Sequence, residues 1–186
     1  MNKWDQKRRV MRRYDVTARS YDSQYSEEQY AKYSKALKNA VIPSGSIVLD
    51  AGCGTGLLFS QIAPVAKTVV GMDLSHELLL RAKEKTSKLS NIHLVKADAD
   101  CLPFRNNCFD LVFAFTVLQN MPRPLDTLKA FGKTAKEEAT IIVTGLKKHF
   151  SMEAFANLLK NAGFNMVSII TDDVLKCYVA IVKKNC

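Results

Sequence analysis

No apolar run in this chain of 186 residues approaches the roughly 20 that a membrane-spanning helix requires. Its first 15 residues, MNKWDQKRRVMRRYD, carry charge where a secretory leader would carry an apolar core. Together these absences lead to the expectation of a soluble, cytoplasmic protein with no membrane contact. Cysteine is scattered rather than patterned: Cys53, Cys101, Cys108, Cys177 and Cys186 are odd in number and include no CxxC pair. That disfavours both a disulfide framework and a structural zinc site, so reduced thiols and no metal are expected. Histidine is scarcer still, and none of the three marks a general base. His76 opens a helical segment and His93 falls inside a strand. His149, in the basic turn LKKHF, is the one best placed to touch a substrate. Internal repeats and Gly-, Ser- or Pro-rich linkers are also missing, which leaves a single domain as the expectation.

What is present suffices for a packed core, with 47% hydrophobic and 24% charged residues. The net charge of +9 is unevenly spread: Lys3, Lys7, Arg8, Arg9, Arg12 and Arg13 crowd the first 13 residues against one acid, Asp5. Such an arm can hold phosphates by releasing counterions, or can simply be a solvated helix face.

Two hydrophobic periods alternate along the chain, short β-rich runs separated by helical segments, and this is the pattern of an α/β fold. Strands are predicted at 46–52, 67–73, 91–98, 108–118 and 139–145. Helices are predicted at 56–63, 75–88, 125–133 and 151–163, with Ser75 as a hydroxyl cap. The run CFDLVFAFTVL at 108–118 is too apolar for a half-exposed strand and belongs in mid-sheet. Two last strands, NMVSIIT and LKCYVAIVKK, are separated by too few residues for a helical crossover and must be antiparallel.

The stretch LDAGCGTG, 49–56, sets three glycines on alternate positions at the end of the first strand. Bare backbone there allows a sharp turn and a close ligand approach to the next helix. Gly52, Gly54 and Gly56 make GxGxG, one place short of the dinucleotide fingerprint GxGxxG, which disfavours NAD. Asp73 ends the second strand, 23 positions beyond Asp50, where a carboxylate can accept from both hydroxyls of a ribose; Asp98 ends the third.

At these residues the chain resembles the class I S-adenosylmethionine-dependent methyltransferases, nearly throughout its length. VLDAGCGTG (48–56) is similar to the family's first motif, GMDLS (71–75) to its ribose-binding segment, ADADCLPFRNNCFDLV (97–112) to its adenine loop and fourth strand, and LLKNAGF (158–164) to its late helix-turn. YDVTARSYD (14–22) resembles the YDxxAxxYD lid of many members. The resemblance implies a single Rossmann-like domain: a seven-stranded, mostly parallel sheet with an antiparallel C-terminal hairpin and helices on both faces. Residues 1–40 would form a basic arm and lid helices, and 41–186 the catalytic core. It implies S-adenosyl-L-methionine as cofactor, with Gly52, Cys53, Gly54 and Gly56 against its methionine part, Asp50 orienting that loop, and Asp73 and Leu74 at the ribose. Asp98 and Ala99 would hold the adenine, and Phe115, Thr116, Tyr14 and Tyr21 would face the ligand. Tyr14, Ala18 and Tyr21 would share one face of a lid helix, with Asp15, Arg19 and Asp22 able to pair on another.

Members that methylate exocyclic amines or glutamine amides often carry [DN]PP[YF] after the fourth strand. Here that place reads FTVLQN, which disfavours such chemistry and leaves Gln119 and Asn120 as candidates to orient an acceptor. The expected acceptor is either an RNA, such as a tRNA, gripped by the basic arm, or a small metabolite beneath the lid. Some similar enzymes work with a small activator subunit. The alternative is a non-catalytic S-adenosylmethionine-binding regulator or scaffold.

Overall fold

A computed structural model describes residues 2–184 of the chain; Cys186 lies outside them. Two helices come first, α1 (Lys3–Thr17) and α2 (Tyr21–Asn39). The alternating body then runs β1 (Ile47–Ala51), α3 (Phe59–Ile62), β2 (Thr68–Asp73), α4 (His76–Thr86), β3 (Ile92–Lys96) and β4 (Phe109–Ala114). It ends with α5 (Pro124–Thr134), β5 (Ala135–Leu146), α6 (Met152–Asn161), β6 (Phe164–Ile170) and β7 (Cys177–Lys184). The strands form one seven-stranded sheet in the order β3-β2-β1-β4-β5-β7-β6. Strands β1 to β5 are mutually parallel, and β7 runs antiparallel between β5 and β6. This is the architecture the sequence led us to expect.

Period-two alternation of the strand residues explains the two faces. Val48, Val69, Leu111, Phe113 and Ile142 point to one side, where Tyr33 and Ala36 of α2, Phe59 and Ile62 of α3, and Leu79 and Ala82 of α4 cover them. Leu49, Met72, Val112, Ile141 and Val143 point to the other, beneath Leu128 and Phe131 of α5 and Phe155 and Leu159 of α6. The order of strands reverses direction at β1, whose neighbours are β2 and β4. A crevice therefore opens at the carboxyl ends of these strands, the usual ligand position in open α/β sheets.

Several boundaries differ from expectation, each for a physical reason. The predicted strand 108–118 ends at Ala114 because Thr116 takes a left-handed φ of +63° and Leu118–Asn120 coil into one 3-10 turn. Phe115, Val117 and Leu118 are buried all the same, so their apolar character misled. The helix predicted from Gly56 is only Phe59–Ile62, because Leu57 and Leu58 pack into the core from turns. The segment YDVTARSYD is not one helix: α1 ends at Thr17 and α2 begins at Tyr21. In contrast, Ser75 caps α4 as expected, accepting from Leu78 N at 3.2 Å.

Candidate functional site

The crevice is a narrow cavity of about 90 Å3. Its floor is the β1 turn and the end of β2. Gly52 N and Cys53 N donate to Met72 O at 2.7 and 3.0 Å, Gly54 N to Asp73 Oδ2 at 2.9 Å, and Gly56 N to Cys53 O at 2.9 Å. These amides are spent inside the protein, so the glycines offer a ligand bare Cα surface rather than donors. Two of the glycines are required sterically. A Cβ at Gly52 would stand 2.5 Å from Val117 Cγ2, and one at Gly56 2.5 Å from the Phe59 ring.

Of the residues singled out from the sequence, Tyr14, Tyr21, Gly52, Gly54, Asp73, Leu74, Asp98, Ala99, Phe115, Thr116 and Asn120 line this one crevice. Asp50, Cys53, Gly56 and Gln119 do not line it. Gly56 faces Phe59 and Ala82. The Cys53 thiol is buried beside Gly71, where desolvation, and then the charges of Asp73 and Asp50, push it well above its ordinary range. Asp50 is 3% exposed. Burial, followed by the neighbouring charge of Asp73, raises its carboxyl from 3.8 to about 8. Gln119 folds back, its Nε2 donating to Thr116 O at 2.7 Å. His76, His93 and His149 are exposed and outside the crevice.

Asp73 is the central acceptor. Ser75 N donates to its Oδ1 at 2.8 Å and Gly54 N to its Oδ2 at 2.9 Å, leaving each oxygen further lone-pair capacity. Burial raises this carboxyl above its usual range, against the pull of the Ser75, Gly54 and Leu74 amides. Apolar Met72, Leu74, Leu78, Val117 and Met121 form the walls beside it.

Helix α1 and the start of α2 roof the crevice, and a set of polar ties fastens them. Lys7, 7% exposed, is held at 2.6 Å by both Asp98 Oδ2 and Asp100 Oδ2. Desolvation alone would lower its pKa, but the two carboxylates outweigh it and the ammonium is favoured. Asp15 accepts from Ser75 Oγ at 2.5 Å and Glu77 N at 3.3 Å, and Asp22 from Thr55 Oγ1 at 2.5 Å and from Lys85. These two acids therefore bind the core instead of pairing with Arg19. Arg13 reaches Asn120 Oδ1 at 3.2 Å, and the Tyr14 and Tyr21 rings meet edge to face at 6.0 Å. The sequence places Lys7 in a basic arm that is either phosphate-holding or a solvated helix face; nothing local announces partners 91 and 93 positions away. Among the described residues no group of His, Cys, Asp and Glu could hold a metal ion, and no helix is long and apolar enough to cross a membrane.

Residues 49–143, the glycine turn through β5, match the family described as a methyltransferase domain. The chain belongs to the class I S-adenosylmethionine-dependent methyltransferases. The cofactor that goes with this family and fold is S-adenosylmethionine. Among curated relatives of this methyltransferase chain, a malonyl-[acyl-carrier protein] O-methyltransferase of Marinomonas is 33% identical over 146 residues, 76% of this chain and 53% of its own length. A demethylmenaquinone methyltransferase of Staphylococcus haemolyticus is 36% identical over 121 residues, 63% and 51%. The chain thus spans about half the length of these relatives. A SAM-dependent methyltransferase from Aquifex aeolicus has a TM-score of 0.72 at 21% identity, covering 81% of this chain and 88% of that one. A methyltransferase from a complex with a Haloferax volcanii methyltransferase activator has 0.81 at 17%, covering 93% and 98%. The [4+2]-cyclase SpnF has 0.82 at 16%, covering 94% of each. The fold alone therefore does not dictate the chemistry.

Proposed function

We propose that this chain uses S-adenosylmethionine to methylate a small acceptor enclosed beneath α1 and α2. The observation that carries the reading is the roofed crevice: Met11, Tyr14 and Tyr21 line it together with Asp73, and a cavity this narrow favours a small acceptor. The names of the two curated relatives, which specify a malonyl group and demethylmenaquinone, point the same way.

The residues fit such a cofactor. Asp73 has acceptor capacity for two ribose hydroxyls, Ala97 and Ala99 offer a narrow apolar slot for a purine, and Asp98 stands at its edge. In this closed arrangement Asp98 is committed to Lys7 and to Asp100 N at 3.0 Å, so it receives an adenine amino group only as an additional partner. Gly52 and Gly54 leave room for the amino acid part, with Phe115 and Thr116 beyond. When bound, S-adenosylmethionine supplies a methyl group whose sulfonium leaving group is already activated. The protein's task is then to hold an acceptor in line and exclude water, which is what the roof and apolar walls do.

Calorimetry with S-adenosylmethionine tests the cofactor assignment. Asp73→Ala should weaken binding at least about tenfold, by loss of hydrogen bonds to a charged acceptor; unchanged affinity overturns the role of Asp73. A tritiated-methyl assay on small-molecule extract, RNA and protein tests the acceptor. Label in RNA, lost on neutralising Arg8, Arg9, Arg12 and Arg13, would overturn the small-acceptor reading. Binding without label in any fraction would favour the regulatory subunit.

A further inference from the structure

Helix α1 makes the crevice as narrow as it is. Lys7, Val10, Met11 and Tyr14 recur at helical spacing, so one face of α1 lines the cavity together with Asp73, Asp98 and Ala99. With that face in place the cavity is about 90 Å3, whereas sites that enclose a small-molecule ligand run to ~300–1,000 Å3. An adenosine joined to a methionine does not enter until α1 moves.

The ties that hold α1 and the start of α2 are unequal. Arg13 and Asn120 meet at the exposed surface, and the Lys85 and Asp22 side chains are each 38% exposed, so water readily replaces these contacts. Lys7 is different. Its side chain is 8% exposed against 14% for Asp98 and 18% for Asp100, and both contacts are short charge-assisted hydrogen bonds of 2.6 Å. The break between α1 and α2, residues 18–20, supplies a place for α1 to turn. Lys7 stands about three helical turns from that break, where a small rotation opens most.

What Lys7 grips matters as much as how firmly. Asp98 is the carboxylate at the purine edge, and its Oδ2 is taken by Lys7 while its Oδ1 accepts from Asp100 N at 3.0 Å. Asp100 does not line the crevice; it accepts from Thr127 of α5, and so ties Lys7 to the core without touching a ligand. We propose that Lys7 is an autoinhibitory latch: seated on Asp98 and Asp100 it excludes S-adenosylmethionine, which binds only the form in which α1 has lifted and Lys7 has yielded Asp98 to the adenine. The inference rests on the methyltransferase reading and adds what regulates entry to that site. A competent form that is a minor fraction lowers apparent affinity by that fraction. Weakening the latch therefore raises association and affinity together and leaves dissociation alone.

The chain carries its own reporter. Trp4 is its only tryptophan, and the Lys7 ammonium stands 5.5 Å from the centroid of that ring. Stopped-flow mixing of the full chain with S-adenosylhomocysteine, followed by Trp4 emission, gives both rate constants, and calorimetry gives the affinity. Lys7→Met should raise the association rate about ten- to hundredfold through loss of charged hydrogen bonds. Asp100→Asn, which leaves Lys7 one carboxylate, should raise it in the same direction by less. Dissociation should stay at the parent rate in both, and affinity should tighten by the factor gained in association. An association rate unchanged in either variant, or a gain matched by faster dissociation so that affinity stays put, overturns the inference. If Lys7→Met does not fold, Asp100→Asn decides. Failure of the parent to bind S-adenosylhomocysteine would instead sink the cofactor reading. Amide exchange in α1 of the chain alone then tests the latch: faster exchange in both variants upholds it, and exchange at the parent rate refutes it.

Discussion

Asp50 should make the fold weaken as the solution becomes alkaline, and Asp50→Asn should remove that weakness. The carboxyl is 3% exposed and is raised from 3.8 to about 8 by burial and then by Asp73. Below pH 4 it is neutral in both folded and unfolded chains and has no effect. Between pH 4 and 8 the unfolded chain ionises while the native one keeps its proton, so stability falls with rising pH at ~1.4 kcal/mol per unit. Above pH 8 the full difference stands, about 6 kcal/mol as a ceiling reached only if the surroundings cannot relax. Asn is close in shape and uncharged. The variant should therefore match the parent near pH 4 and exceed it progressively up to pH 8. Urea unfolding at half-unit steps reads this directly, the midpoints separating by roughly half to one molar per pH unit for ordinary m-values. Asp73 is also raised and interacts with Asp50, so the difference between the curves reports Asp50 together with its coupling to Asp73. Parallel curves from pH 5 to 8.5 would refute the burial argument.

Three further outcomes are expected. Lys7→Met leaves Asp98 and Asp100 without their cation, and the loss of charged hydrogen bonds, about 1.5–3 kcal/mol, should speed hydrogen exchange in α1 ten- to hundredfold while the sheet stays protected; uniform exchange would show that α1 is not separately latched. Gly52→Ala should cost about 2–5 kcal/mol from its left-handed backbone and its contact with Val117, and adding Val117→Ala should recover the contact part; strict additivity in denaturation would disprove the clash. A thiol reagent followed by mass mapping should label exposed Cys101 ahead of buried Cys53 and Cys177, the latter raised to about 11 by burial; early label on Cys177 would contradict its placement.

The central strands were legible because both their faces are covered, which forces unbroken apolar runs such as that of β4. The same property hid where β4 stops. Phe115, Val117 and Leu118 are as buried after the strand as before it, and only the left-handed Thr116 breaks the ladder. Asp73, Asp98 and the glycines could be found because strand ends and turns have local signatures. Lys7 and Lys32 could not. A lysine in a basic segment reads as solvated, and what buries these two, Asp98 and Thr116, lies 91 and 84 residues away. The break between α1 and α2 carries no proline or glycine and left no mark either.

Strand β7 lies between β5 and β6, both of which precede it in the chain. As the polypeptide emerges from a ribosome, β5 must wait with a bare edge of Ile141, Ile142 and Val143 until Cys177–Lys184 has been made. A message cut short before that point would not yield a smaller working unit. It would release an open sheet ready to pair with other chains, so the final eight-residue strand acts as the seal that makes the rest safe to synthesise.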